Sequence, residues 1–312
     1  MQPKILIYGA GSIGAFLGAK LYAAGCDVKL LGGEKLAKAG KFILINGDTF
    51  EVPPKVKNFE EENRFDIIFV TTKLYDAKTA MKEIINNNLN SRIITFIQNG
   101  LVDDDFYNEI NGHGELAAIS VFEGYRLTGN QLAASKSNLG WQIDQNKAGE
   151  EVSELLNSAG IESMVNPEIS RIRAEKMLMN CAVNAMSALE GKTFGELFLD
   201  ENDHKIMDEI INEGYEVLND EFELTDISKF KKLFYDTINQ NKAHYSSLYQ
   251  DLKSGRETEI DFLNGLIIRK GKEKGVPTPR NQEIYNRIKK LSENKEIEAP
   301  KEFIDYSKIN RR

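Results

Sequence analysis

"ILIYGAGSIGAFLGAKL", residues Ile5–Leu21, decides the fold. A short apolar run with strand character ends at Tyr8, and Gly9, Gly11 and Gly14 then follow at the spacing GxGxxG just as a helical stretch opens. The first glycine permits a tight turn, the second lets backbone amides approach a pyrophosphate, and the third lets helix and strand pack closely. Backbone groups of Gly9, Gly11, Ser12, Ile13 and Gly14 are the expected cradle for a dinucleotide, because unpaired donors and the helix dipole favour an anion at that end. A bare GxGxxG is weak evidence. Here it lies directly between a strand and a helix, and a second β-rich run, "DVKLL" at Asp27–Leu31, follows where a βαβ unit needs it. Gly18 reads as a helix-packing glycine.

Outward from that stretch the alternation continues through "DIIFVTTK", "AKTAMKEIINNNL" and "RIITFIQNG", which argues for a parallel sheet covered by helices. "FILINGDTFEVP" carries an Asn46-Gly47 hairpin signal. Residues 114–144 read as strands joined by tight turns that extend or cap the same sheet. From Pro167 onward the apolar period is helical almost throughout, with "SKFKKLFYDTINQNKAHYSSLYQDL" and "TEIDFLNGLIIRKGKEKG" each read as a helical stretch. The expectation is therefore an α/β chain: a Rossmann-type dinucleotide-binding domain over residues 1–166 and an all-α substrate and catalytic domain over residues 167–312, parted near Asn166-Pro167.

Composition excludes several classes. The 312 residues suffice for two domains, and the net charge of -8 would repel phosphate backbones and anionic membranes. No nucleic-acid or membrane partner is expected, and an anionic ligand must meet a local positive site. The start of the chain lacks the pattern of a secretory signal, no apolar run reaches spanning length, and a cytoplasmic protein is expected. Cys26 and Cys181 fall in no paired spacing, and His113, His204 and His244 are scattered, so no metal site is expected. Monomer and homodimer both stay open.

At the end of the second strand an acidic residue would take ribose hydroxyls and a basic one a 2'-phosphate. Glu34 favours NAD, while Lys35, Lys38 and Lys41 would suit a phosphate, so the choice stays open.

The chemical end is "RAEKMLMNCAVNAMSAL", from Arg173 to Leu189. Its middle is apolar except for Lys176, Asn180 and Asn184, which stand four apart and form one ladder on a helix. The plain alternative is a wet face, with Arg173, Glu175 and Lys176 solvated at the helix start. It suits Lys176 better than the two asparagines, since unpaired buried amides would cost about 1–3 kcal/mol each. A site-lining ladder is favoured, with hydrogen bonding between helices as its rival. In "YSSLYQDLKSGRETEID" the acidic residues at the second helix start are explained by the helix dipole alone.

The stretches "GAGSIGAFLGAKL", "TTKLYD", "IQNG", "EKMLMNCAVNAMSAL", "SSLYQDLKSGRETEIDFLNG" and "GVPTPRN" together resemble the ketopantoate reductase family over nearly the whole chain. That resemblance implies an N-terminal Rossmann domain joined to an all-α domain of the 6-phosphogluconate dehydrogenase C-terminal type. It also implies roles, position by position. Lys176 matches the catalytic lysine and Glu259 the carboxylate that hydrogen-bonds the reacting oxygen. Asn180, Asn184 and Ser247 match substrate-holding positions, Asn99 an asparagine where nicotinamide and substrate meet, and Lys73 a lysine near the cofactor. The chain departs from the family at Ala174, where a tryptophan is usual, and at Gly33, where many members carry an arginine for NADPH.

The implied activity is hydride transfer from NADPH to 2-dehydropantoate, giving (R)-pantoate for pantothenate and coenzyme A biosynthesis. NADP(H) is the implied cofactor, with NAD(H) as the alternative, and the partner is a small anionic 2-oxo acid. Two other readings stand beside it: a paralogous reductase of another small 2-oxo acid, and a catalytically silent dinucleotide-binding sensor.

Overall fold

In the computed structural model, residues 2–32, 36, 40–56, 62–101, 112–137 and 139–293 are described, and the chain divides into two compact units, one running from the N-terminus through Ile169 and one starting at Ser170.

The first unit holds strands β1 (Lys4–Tyr8), β2 (Asp27–Leu31), β3 (Phe42–Ile45), β4 (Asp48–Glu51), β5 (Arg64–Val70) and β6 (Asn90–Phe96). They are followed by β7 (Glu115–Val121), β8 (Gly124–Thr128), β9 (Gln131–Ser135), β10 (Trp141–Asp144) and β11 (Ser163–Asn166). Seven of them form one sheet in the order β11-β10-β7-β6-β5-β1-β2. From β2 to β7 every pairing is parallel; β10 runs antiparallel to β7 and β11 parallel to β10. Helices α1 (Ser12–Ala23), α2 (Leu74–Asn86) and α3 (Lys147–Ser158) supply crossovers. The central strands are apolar on both faces because both are covered: Ile5, Leu6, Ile7, Ile68, Phe69, Ile93 and Ile94 are fully buried.

The expectation that residues 114–144 extend or cap this sheet holds for β7 and β10 only. β8 and β9 leave it and join β3 and β4 in a separate sheet of order β4-β3-β9-β8. The Asn46-Gly47 hairpin is present, with both residues at positive φ (50° and 98°), as a tight twisted hairpin turn demands. Asn46 also ties the two hairpins together. Its side chain donates to Ala134 O and accepts from Ala134 N, both at 2.9 Å, so it continues the β3–β9 ladder past the end of β3.

Among the described residues the second unit is helical. It contains α4 (Ile169–Met179, whose first residue belongs to the other unit), a π segment (Asn180–Asn184), α5 (Ala185–Glu190), α6 (Phe194–Leu199) and α7 (Glu201–Phe222). Then come α8 (Ile227–Gln240), α9 (Ser247–Lys253), a 3-10 turn (Ile260–Phe262), α10 (Asn264–Lys274) and α11 (Pro279–Glu293). Two expectations are corrected here. The stretch from Ser228 to Leu252 is not continuous, because the backbone N–H groups of Phe194 and Gly195 bind His244 O and Lys242 O and hold the chain out of helix between α8 and α9. "TEIDFLNG" likewise begins as a 3-10 turn and becomes α-helix only at Asn264.

Close packing against the ladder stretch comes from Gly214 on α7, where an added Cβ would lie 2.5 Å from Leu178 Cδ2. The same helix caps α11. Glu213 accepts from Arg280 N at 2.7 Å, Asn281 N at 2.9 Å and Asn281 Nδ2 at 2.8 Å, taking backbone donors that a helix N-terminus leaves unpaired. Glu213→Ala strands those donors, at about 1–3 kcal/mol. The expected result in a thermal melt is a Tm lower by roughly 3–8 °C; an unchanged Tm would show that solvent replaces the cap at no cost.

Candidate active site

Tyr8 closes β1, and Gly9 turns the chain at φ 106°. A Cβ on Gly9 would sit 2.7 Å from Thr72 N, and one on Gly14 would overlap Gly9 O and lie 2.6 Å from Thr71 Oγ1. Gly11 differs. It is exposed, and among the described residues a Cβ there would meet nothing within 4 Å. The outer two glycines thus hold the turn shut, while the middle one keeps the space in front of α1 clear. No side chain caps that end of α1 and no acidic residue lies in its first turn, which suits an incoming anion.

The turn is braced from two sides. Thr71 Oγ1 donates to Gly9 O at 2.5 Å, and Thr71 N donates to Tyr8 O at 2.8 Å. On the other side Ser12 Oγ accepts from Leu127 N of β8 at 3.1 Å, and the Phe16 ring lies 4.5 Å from that of Tyr125. Ser12 therefore serves the scaffold already. Ile13 is half-buried in the same helical turn.

Lys73 and Asn99 both stand where ligands of such sheets bind, beyond the carboxyl ends of parallel strands. Lys73 is the half-buried N-cap of α2, after β5, and Asn99 is half-buried after β6. The structure adds Gln98 and Thr72. Gln98 Nε2 donates to Val70 O at 2.8 Å, while Gln98 Oε1 and Thr72 Oγ1 are buried with no partner among the described residues. Their signal in the sequence was only adjacency to Asn99 and Lys73. Together with the open face of Gly11, these orphaned atoms fit a polar ligand of dinucleotide type. Gly33, Glu34, Lys35 and Lys38, on which the choice between NAD and NADP was to turn, lie outside the described residues; Lys41 is exposed.

Trp141, the chain's one tryptophan, pairs with Val121, the last residue of β7, which places it at the same carboxyl edge. It is fully buried, and its Nε1 donates to Glu123 Oε2 at 3.1 Å and Tyr125 Oη at 3.0 Å.

In the helical unit the wet-face alternative fails. Arg173 and Glu175 are buried, and Glu175 Oε1 accepts from Thr225 N at 2.8 Å. Lys176 is half-buried, and burial disfavours the charge on its ammonium. Its pKa is lowered to about 8, by desolvation first and by the nearby Arg173 charge second, with the Glu259 carboxylate opposing both. Glu259 is itself buried, at the start of the 3-10 turn. The two residues expected to carry the chemistry thus sense each other's charge.

The expected α-helical ladder is interrupted. Lys176 stands on α4, but Asn180 to Asn184 form the π segment. A step of four in an α-helix overshoots a full turn by about 40°. A wider π turn cancels part of that drift and keeps Asn180 and Asn184 nearer one line. Asn184 is buried and Asn180 half-buried. Ser247 is exposed at the first position of α9, whereas its neighbour Ser246 is buried and donates to Asn184 O at 2.9 Å. In the sequence Ser246 carries only the signal of an N-cap, a serine just ahead of an apolar helical run.

The comparisons with known proteins agree over both units. The pattern described as "Ketopantoate reductase PanE/ApbA" matches residues 5–141, and "Ketopantoate reductase PanE/ApbA C terminal" matches residues 168–292. The chain is 29% identical over 303 residues to the 2-dehydropantoate 2-reductase of Aquifex aeolicus (strain VF5), covering 93% of this chain and 97% of that one. Its fold is similar to a PanE/ApbA family ketopantoate reductase from Ralstonia eutropha JMP134, with TM-score 0.84, 22% identity, and 94% and 99% of the two chains covered. It is also similar to D-mandelate dehydrogenase solved with NADH and anilino(oxo)acetate, with TM-score 0.83, 23% identity, and 94% and 100% covered. With a Rossmann-type unit fit for a nicotinamide cofactor and an all-α unit carrying the lysine ladder, the chain belongs to the ketopantoate reductase family of dinucleotide-dependent oxidoreductases.

Proposed function

We propose that the protein reduces 2-dehydropantoate to (R)-pantoate with NADPH. The observation that carries this reading is the desolvated Lys176 ammonium, tuned near neutrality beside Glu259 on the stretch that also bears Asn180 and Asn184. A bound nicotinamide supplies the hydride for the carbonyl carbon. The carbonyl oxygen then becomes an alkoxide and needs a proton, which Lys176 gives, becoming a neutral amine that regains its proton from solvent. Before the transfer the same ammonium stabilises the charge growing on that oxygen. In this reading Glu259 holds the reacting oxygen, Asn180, Asn184 and Ser247 hold the acid, and Asn99 and Lys73 serve the cofactor. Family membership supports the 2-oxo acid class.

One observation favours a second reading. The rings of Tyr245 and Tyr249 stack at 4.6 Å on either side of Ser246 and Ser247, an aromatic surface that suits a 2-oxo acid carrying an aryl group. D-mandelate dehydrogenase, in the complex named above, binds such a molecule. A panel containing ketopantoate and phenylglyoxylate, with NADPH and NADH, followed at 340 nm, decides between them. Higher kcat/KM for ketopantoate supports the first reading, and higher kcat/KM for phenylglyoxylate supports the second. No oxidation with any 2-oxo acid despite tight dinucleotide binding would favour the silent sensor.

Lys176→Met should lower kcat by about 10²-fold or more while leaving dinucleotide affinity within about twofold. Because the folded state binds this proton less tightly than the unfolded chain does, the cation opposes folding below pH 8, so the variant's Tm should be unchanged or higher. Unchanged turnover would remove Lys176 from the mechanism.

The pH profile has a definite sign. Reduction needs the ammonium, so log kcat/KM should be level below the Lys176 pKa of about 8 and fall above it with a slope approaching -1. Alcohol oxidation needs the free amine and should rise through the same pH. A reduction profile still level at pH 9.5 contradicts the assignment.

Gly11→Val should fold normally, since its side chain meets open space, yet lose dinucleotide binding by at least about 10²-fold. Trp141 reports this directly, because its emission overlaps reduced-nicotinamide absorption and it lies at the sheet edge where the cofactor belongs. Titration with NADPH should quench the wild-type protein and leave Gly11→Val unquenched; equal quenching would place the dinucleotide elsewhere.

A further inference from the structure

The π segment interrupts a helix at the two residues that the functional reading gives to substrate. A π turn shifts the backbone pairing of its carbonyls away from the α pattern, so it persists where other donors meet those oxygens. Two do so here, each from a different element. Ser246 Oγ donates to Asn184 O at 2.9 Å, and Asn264 Nδ2 donates to Cys181 O at 3.1 Å. Ser246 is 2% exposed and Asn264 is fully buried.

Both donors are themselves held. Ser246 N donates to Ser187 Oγ at 3.2 Å, and Ser246 Oγ accepts from Tyr249 N at 3.0 Å, so its hydroxyl proton is directed to Asn184. Asn264 Nδ2 also donates to Asn281 Oδ1 at 3.0 Å, and Asn281 in turn gives its own amide hydrogens to Ile210 O and Glu213 Oε2. Asn264 faces acceptors on both of these sides, which fixes which end of its amide is nitrogen. Its oxygen is left buried without a partner among the described residues, a cost that an apolar residue in the same place would avoid. A side chain kept there for packing alone has no reason to be an asparagine.

We propose that Ser246 and Asn264 are positioning residues: they lock the π turn and thereby set the direction in which Asn180 and Asn184 project. Glu213 and Asn281 extend the lock to the start of α11. The part that concerns substrate rests on the reductase reading; the lock itself does not.

The test uses Asn264→Leu, Ser246→Ala and Ser246→Thr in the full chain. Hydrogen–deuterium exchange over residues 181–188 should speed up at least tenfold in Asn264→Leu and Ser246→Ala, with exchange over the sheet unit unaltered, and Ser246→Thr, which keeps the hydroxyl, should restore protection. KM for the 2-oxo acid should rise at least tenfold in the first two variants, with kcat lowered less than threefold and KM for the dinucleotide unchanged. Should Asn264→Leu fail to fold, Ser246→Ala and its threonine rescue carry the test alone. Unaltered exchange in the folded variants, or a crystal structure of either with the π turn intact, overturns the lock. Faster exchange with an unchanged KM overturns the positioning role. Wild-type protein inactive on every 2-oxo acid overturns the reductase reading instead, and the exchange result still decides the lock.

Discussion

The Lys176 ammonium is stripped of water by its surroundings, pushed further toward the amine by Arg173, and drawn back by Glu259. Desolvation and the neighbouring cation disfavour the charged form, and the carboxylate favours it. The balance requires Arg173, Lys176 and Glu259 to be brought together from α4 and the 3-10 turn, 83 residues apart between Lys176 and Glu259 by their numbering. Much of the helical unit serves that meeting. Glu175 and Arg171 fix α4 against the Thr225 segment, and Gly214 lets α7 approach Leu178 closely.

The dinucleotide end rests on a different kind of constraint. Its precision comes from backbone and from the absence of side chains, so it writes itself into glycine positions. Gly9 and Gly14 face Thr72, Thr71 and each other at distances that exclude a Cβ, whereas Gly11 faces open space. Such a site is readable from one chain, because only glycine satisfies it and the spacing follows from turn geometry. The parallel sheet was readable for a related reason: strands buried on both faces are continuously apolar, and a helix must intervene between parallel neighbours.

The parts that escaped reading have specific causes. β8 and β9 alternate and turn as an extension of the main sheet would, and only their pairing with the Asn46-Gly47 hairpin takes them out of it; nothing local states that pairing. The π segment sits inside an otherwise helical stretch, and the side chains that meet two of its carbonyls, Ser246 and Asn264, lie too far along the chain for local spacing to state them. Arg173 and Glu175 read as a solvated helix start because nothing local states their burial, and the backbone donor that Glu175 accepts from, Thr225 N, lies 50 residues on. Lys176, Asn180 and Asn184 stand out in the sequence because polar groups at a regular spacing in an apolar stretch are locally anomalous, whereas the contact of Ser246 with Asn184 O leaves no such mark, since a serine before a helix is ordinary.

These two kinds of constraint bear on what the family resemblance transfers. A backbone-built cradle accepts whatever carries a pyrophosphate, so it tolerates change around it and says little about what else is bound. A side-chain-built site is tuned by each neighbour, so a departure such as Ala174, where the family resemblance leads one to expect tryptophan, bears on it more than on the cradle. Ala174 is fully buried beside Arg173 and Glu175, so the volume that a tryptophan would fill must be taken up by surrounding groups. Cofactor class is therefore the property most safely shared with relatives, and the acid's side chain is the property most open to divergence.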